Sequence, residues 1–188
     1  MQVVTKGYKM STVTVKDKEF ELFIQSQQIA SAVSTMAAQM NLELKNSKPL
    51  FLAVLNGSFL FAADLLRNIK VECEISFVKL ASYQGMATTG NVNQLIGMNE
   101  DVKGRTVVIL EDIVDTGTTL EKLFVDLESK QVASIKVAAL LFKPEAYTGN
   151  RKIDYVGIEV PNNFLVGYGL DYDGQGRNLE HIYTLIKK

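Results

Sequence analysis

Two unbroken apolar runs, Leu50–Leu55 (LFLAVL) and Val107–Leu110 (VVIL), constrain this chain more than any other feature. A strand with one wet face alternates apolar and polar residues, whereas a run without alternation must be covered on both faces. Each run leads through a turn into a segment with helical spacing. Asn56-Gly57 precedes FLFAADLL at Phe59–Leu66. Thr116 to Leu127 places Leu120, Leu123, Phe124 and Leu127 on one helical face. Further strands are expected at Val13–Val15, Phe20–Phe23, Glu74–Leu80, Ile135–Phe142 and Tyr155–Val160, and a helix capped by Ser26 carries Ile29, Ala32, Val33, Met36 and Met40. Strands alternating with helices predict an α/β fold, a mostly parallel central sheet flanked by helices. The C-terminal third is poor in helix and is expected to form a smaller lobe over the sheet edge.

The 188 residues suit one domain, 1–188, with a core that needs no staples. A net charge of −1 gives no basic footprint for nucleic acid. Met1–Ser11 has no signal-peptide core, and no run is long enough to span a membrane, so a cytoplasmic protein is expected. Cys73, the single cysteine, reads as a core or strand thiol, and the lone His181 has no zinc-ligand companions. The stretch 81–94 (ASYQGMATTGNVNQ) has little to bury and is long for a connector, so a mobile lid is expected at about 82–94.

The chemistry concentrates in Val107–Thr119, VVILEDIVDTGTT. In open α/β sheets ligands sit beyond the carboxyl ends of the strands. Glu111, Asp112 and Asp115 fall there, with Glu111 and Asp112 expected to end the strand. Thr116-Gly117-Thr118-Thr119 then opens a helix, whose free N–H groups and partial positive charge suit a phosphate. Carboxylates repel phosphate, so they must face sugar hydroxyls or Mg²⁺. There is no GxxxxGK[ST] signature, and neither Gly167-Tyr168-Gly169 nor Gly174-Gln175-Gly176 has the third glycine of a dinucleotide fingerprint. The single Asp115-Thr116-Gly117 matches an aspartic-protease triplet, but such proteases pair two aspartates in an all-β setting.

VVILEDIVDTGTT closely resembles the phosphoribosyl pyrophosphate (PRPP) motif of type I phosphoribosyltransferases. From about Val13 to Ile186 the chain is similar to the hypoxanthine/guanine branch of that family. The resemblance implies the family's sheet with a small hood lobe built from the N- and C-terminal segments. It implies that Glu111 and Asp112 hold the ribose hydroxyls and that residues 116–119 cradle the 5′-phosphate. Asp115 would lie near purine N7 as general base or acid. Asn56 and Gly57 match the pyrophosphate loop, often built on a non-proline cis peptide, although many relatives carry Lys or Arg where Asn56 stands. Arg177 would also meet pyrophosphate. Ile113, Lys143, Phe164 and Leu165 would form the base site, with Lys143 on purine O6 and Phe164 stacked on the ring. Ser82 and Tyr83 match the flexible lid, and Asp171 an acid near Mg²⁺, with Glu111 and Asp112 beside the metal. The implied partners are PRPP, a 6-oxopurine and further copies of the chain in a dimer or tetramer. Lys143 is donor-only, which suits a 6-oxo group and disfavours adenine. The rival on the same fold is a PRPP-responsive nucleic-acid-binding regulator.

Overall fold

The computed structural model describes residues 12–80, 94–96 and 100–186, the backbone alone for 94–96. The first half runs β1 (Thr12–Val15), β2 (Lys18–Ile24), α1 (Ser26–Glu43), β3 (Leu50–Val54), α2 (Phe59–Asn68), β4 (Glu74–Leu80) and β5 (Gln94–Ile96). The second runs β6 (Thr106–Val114), α3 (Thr118–Ser129), β7 (Ser134–Phe142), β8 (Tyr155–Glu159), β9 (Leu165–Val166) and β10 (Ile182–Leu185). The expected lid, with Ser82 and Tyr83, lies outside the described residues except for Gln94, which opens β5.

Six strands form the main sheet in the order β5-β4-β3-β6-β7-β8. All neighbours are parallel except β5, which runs antiparallel to β4 at the edge. The apolar runs are explained by two covered faces. Phe51, Ala53, Val108 and Leu110 join one core cluster with Ile29, Val33, Met36 and Met40 of α1 and Phe61 and Leu65 of α2. Their strand neighbours Leu50, Leu52, Val107 and Ile109 point the other way, into a cluster with Leu120, Leu123, Phe124 and Leu127 of α3. The period of two along each strand thus feeds two cores.

The smaller lobe is a four-stranded antiparallel sheet, β1-β2-β10-β9. Val15, Phe20, Val166 and Tyr183 form its own cluster, while Ile24, Leu165 and Ile182 join the main core.

Two local expectations are corrected. The N-cap of α1 is Gln25, not Ser26. Gln28 Oε1 accepts the Gln25 N–H at 2.9 Å, and the Ser26 N–H instead donates to His181 Nδ1 at 3.0 Å. Glu111 and Asp112 do not end their strand: β6 runs on to Val114, because β7 keeps pairing with it through Phe142. Cys73 precedes β4 and packs, partly buried, against the core; burial pushes its thiol up. No helix among the described residues is long and apolar enough to cross a membrane.

Candidate active site

The site lies beyond the carboxyl ends of β3 and β6, where α2 and α3 begin. The Leu55–Asn56 peptide is cis. Asn56 is exposed and its carbonyl accepts the Phe59 N–H at 3.4 Å, while Gly57 is buried. A Cβ on Gly57 would stand 1.7 Å from Asp112 Oδ2, and one on Gly169 would stand 2.0 Å from the Gly57 carbonyl oxygen. Glycine is therefore required for three segments to meet: the turn after β3, the end of β6 and the segment following β9.

Glu111 is buried, 5% exposed. Burial, reinforced by the neighbouring Asp112, pushes its carboxyl well above the ordinary range. Asp112 is pushed up to about 6, chiefly by burial. The Ile113 and Asp112 N–H groups and the Arg177 guanidinium pull it back, and Asp171 adds to the rise. Both carboxylates are thus short of positive charge or hydroxyl donors. The sign of the linkage is testable. Asp112 is bound to its proton more tightly in the folded state, so its contribution is complete below pH 3.8 and lost as pH rises through about 6. In metal-free buffer, Asp112→Asn should therefore stabilise the protein at pH 7.5, by an amount on the order of 2 kcal/mol, and not at pH 3.5. Thermal melts at the two pH values check this; an equal gain at both would refute it.

The expected phosphate cradle adopts a turn into α3. Gly117 is the N-cap at φ 88°, a left-handed conformation that favours glycine. The Thr116 and Thr118 hydroxyls lie 3.0 Å apart, and Thr118 and Thr119 are exposed at the first helical turn. A hollow of about 90 Å³ is lined by Glu111, Ile113–Thr116 and the start of α3. Sequence reasoning missed Tyr147. Its ring would lie 2.5 Å from a Gly117 Cβ, its hydroxyl donates to the Arg151 carbonyl at 2.6 Å, and the following Thr148 N–H donates to the Thr116 carbonyl at 3.3 Å. This tyrosine braces the cradle from behind. Nothing local in KPEAYTG marks it, since its partner is 30 residues upstream.

Lys143 follows β7 and is tied to β6 through its N–H, which donates to the Val114 carbonyl at 3.0 Å. Its side chain is buried, 7% exposed. The ammonium donates to Asp115 Oδ2 at 2.8 Å and to Asn162 Oδ1 at 3.4 Å. An ammonium has three donors, so one N–H remains for a ligand. Phe164 is 47% exposed, the most of the exposed phenylalanines among the described residues, and Leu165 is buried in β9.

Arg177 and Asp171 face each other at 2.7 Å, and the guanidinium also donates to the Gly169 carbonyl at 2.7 Å. The second Asp171 oxygen accepts the Gly174 N–H at 2.6 Å. Among the described residues no three acidic, histidine or cysteine side chains are grouped so as to hold a metal ion. The expected trio Glu111, Asp112 and Asp171 is therefore not a protein-only cage, because Asp171 is already engaged by Arg177 and Gly174. Mg²⁺ is commonly held by one or two carboxylates together with substrate phosphates, and Asp171 with the charge-poor Asp112 fits that arrangement.

The parallel sheet with its antiparallel hood is the type I phosphoribosyltransferase fold, and comparison with known proteins agrees. The hypoxanthine phosphoribosyltransferase of Staphylococcus aureus superposes with a TM-score of 0.82 at 33% identity, covering 88% of this chain and 91% of that one. The family model for a phosphoribosyl transferase domain matches residues 23–173. The chain belongs to this family and is a transferase. It is 39% identical over 171 residues to the hypoxanthine phosphoribosyltransferase of Buchnera aphidicola, spanning 89% of this chain and 97% of the relative. With the hypoxanthine phosphoribosyltransferase of Escherichia coli K12 it shares 35% over 169 residues, 88% of this chain and 95% of that protein.

Proposed function

We propose that the protein salvages purines: it transfers the 5-phosphoribosyl group of PRPP to N9 of hypoxanthine or guanine and releases pyrophosphate. The observation that carries this reading is the buried Lys143 beside Asp115, 2.8 Å apart, at the end of the acidic strand β6. A 6-oxopurine carries O6 and N7 side by side on one edge. The spare Lys143 N–H would meet O6, and Asp115 would hold or move the proton at N7. Adenine offers an amino group to that ammonium, donor against donor. Ile113 would flank the base, Phe164 would stack on it, and the Leu165 backbone would meet its edge.

In the reaction the bond from C1 to pyrophosphate breaks and the bond to N9 forms, with oxocarbenium character on the ribose. Glu111 and Asp112 would hold the ribose hydroxyls, whose donors favour the ionised carboxylates. The N-terminus of α3 and the hydroxyls of Thr116, Thr118 and Thr119 would hold the 5′-phosphate. Gly57 and Asn56 would offer backbone to pyrophosphate, and Arg177 would trade its bond to Asp171 for the leaving group. Bound Mg²⁺ supplies charge neutralisation on pyrophosphate. Ser82, Tyr83 and the rest of 82–94 would exclude water. The reading includes a cytoplasmic location and a homo-oligomer, the latter supported by Ile75 and Phe77, which share a face of β4 and are 37% and 39% exposed. The nucleic-acid-binding regulator finds no support among the relatives quoted, each of which bears an enzyme's name.

The test is a panel of bases with PRPP and Mg²⁺, run on the wild type and on Lys143→Gln. The substitution weakens a charge-assisted bond worth roughly 1.5–3 kcal/mol, so kcat/KM should fall about 10- to 100-fold for hypoxanthine and guanine. Adenine, which never had that bond, should lose less, and the oxo-to-amino ratio should shrink. Equal slowing of every base would move Lys143 to the phosphates or the scaffold.

A further inference from the structure

Phe164 is half exposed, at 47%, and its aromatic neighbours come from other segments. Phe20 of β2 lies 6.2 Å from it, ring to ring, tilted by 41°. Tyr172 presents its ring at 89° to Phe164 with centroids 5.8 Å apart, the edge-to-face arrangement that aromatic pairs favour. Tyr172 also packs on Phe20, 6.2 Å away. The Tyr172 hydroxyl then donates to Asp17 Oδ1 at 2.9 Å. Asp17 belongs to the two-residue turn Lys16–Asp17 between β1 and β2, closed by the Val15–Lys18 pair. Lys16, in the same turn, holds φ 53° and forms an ion pair with Asp173, next to Tyr172. The ammonium of Lys18 lies 6.0 Å from the centre of the Tyr172 ring. Three consecutive residues at the hood turn, Lys16, Asp17 and Lys18, are thus fastened to or lie beside the segment that braces Phe164.

We propose that Tyr172, held by Asp17 of the β1–β2 turn, is a positioning residue that fixes the Phe164 ring for stacking on the purine base. The inference rests on the functional reading of Phe164 given above. Its physical basis is preorganisation. An exposed aromatic ring free to swing would lose rotamer freedom on each binding event, whereas a ring packed on Phe20 and Tyr172 is already in place before the base arrives. The substrate affected is the base alone. The proposed ribose and 5′-phosphate sites belong to α3 and the end of β6; pyrophosphate alone would come near this segment, through Arg177 and Asp171, whose ion pair makes no use of the Tyr172 side chain.

The test measures KM for hypoxanthine and for PRPP separately. Tyr172→Ala should raise KM for hypoxanthine roughly three- to tenfold, the effect of one aromatic edge contact, and leave KM for PRPP unchanged. Tyr172→Phe and Asp17→Asn keep the ring edge and lose the hydroxyl bond; each should raise KM for the base about twofold. In a Phe164→Ala background the effect of Tyr172→Ala on the base should vanish, since the ring it positions is gone. A general distortion of the site would raise both KM values and would persist in that background, and either result overturns the proposal. Unchanged KM for the base in Tyr172→Ala overturns it too. An inactive wild type would instead sink the reading of the site as a phosphoribosyl-transfer centre, so the two failures are distinguishable.

Discussion

Asp115→Asn should fold, bind PRPP and turn over more slowly by ~10²–10⁴, the usual contribution of a positioned acid–base group. Asparagine is the informative replacement because of Lys143. The lysine is buried and its ammonium rests on Asp115 Oδ2 at 2.8 Å. Removing the acceptor outright would leave a buried charge uncompensated, a strongly destabilising change. The asparagine carbonyl keeps an acceptor at the same place, and Asn162 Oδ1 remains on the other side. What the substitution would remove is the proposed ability to take or give the N7 proton. Steady-state kinetics with saturating hypoxanthine, beside a thermal melt and a PRPP-binding titration, separate these contributions. A folded Asp115→Asn enzyme with near-normal kcat would show that the carboxylate only anchors Lys143.

Chelation should reduce turnover to background, and Mg²⁺ or Mn²⁺ should restore it. The cause is electrostatic. Pyrophosphate is a polyanion that would arrive beside Glu111, Asp112 and Asp171, and in the free protein the guanidinium proposed to meet it, Arg177, is spent on Asp171 at 2.7 Å. Burial, with a smaller addition from Asp171, holds Asp112 near 6 against the pull of Arg177, so at neutral pH a further anion would meet acids whose one nearby guanidinium is already shared. A divalent cation held by Asp171, Asp112 and the substrate phosphates would remove that repulsion and favour the ionised carboxylates. Isothermal titration of PRPP with and without Mg²⁺ reads the same effect without turnover: binding should weaken sharply in EDTA. Full activity in excess EDTA would contradict the assignment.

Much of this protein was legible in the sequence because its signals are local. The apolar runs LFLAVL and VVIL require two covered faces wherever they are placed, so the parallel sheet and its flanking helices followed. The acid-rich strand end and the Thr-Gly turn stand within nine consecutive residues, 111–119, so their meeting at one strand–helix junction needed no tertiary knowledge. The short strands of the N-terminal segment could be read, and the helix-poor C-terminal third pointed to a smaller lobe; resemblance joined the two into a hood. What only the tertiary structure decided depends on contacts between residues far apart. The strand carrying Glu111 outlasts its apolar run because β7 lies alongside it and continues to pair. Ser26 is not the cap of α1 because His181, 155 residues away, claims its N–H. The raised pKa of Asp112 comes from burial under Gly57 and from Asp171, neither of which periodicity could bring near. Tyr147 under Gly117 and the Asp17–Tyr172–Phe164 brace have the same origin. Patterning of the chain determines which surfaces must be buried; only the closed fold determines which distant polar and aromatic groups then share one low-dielectric space, and there their charges and positions are set.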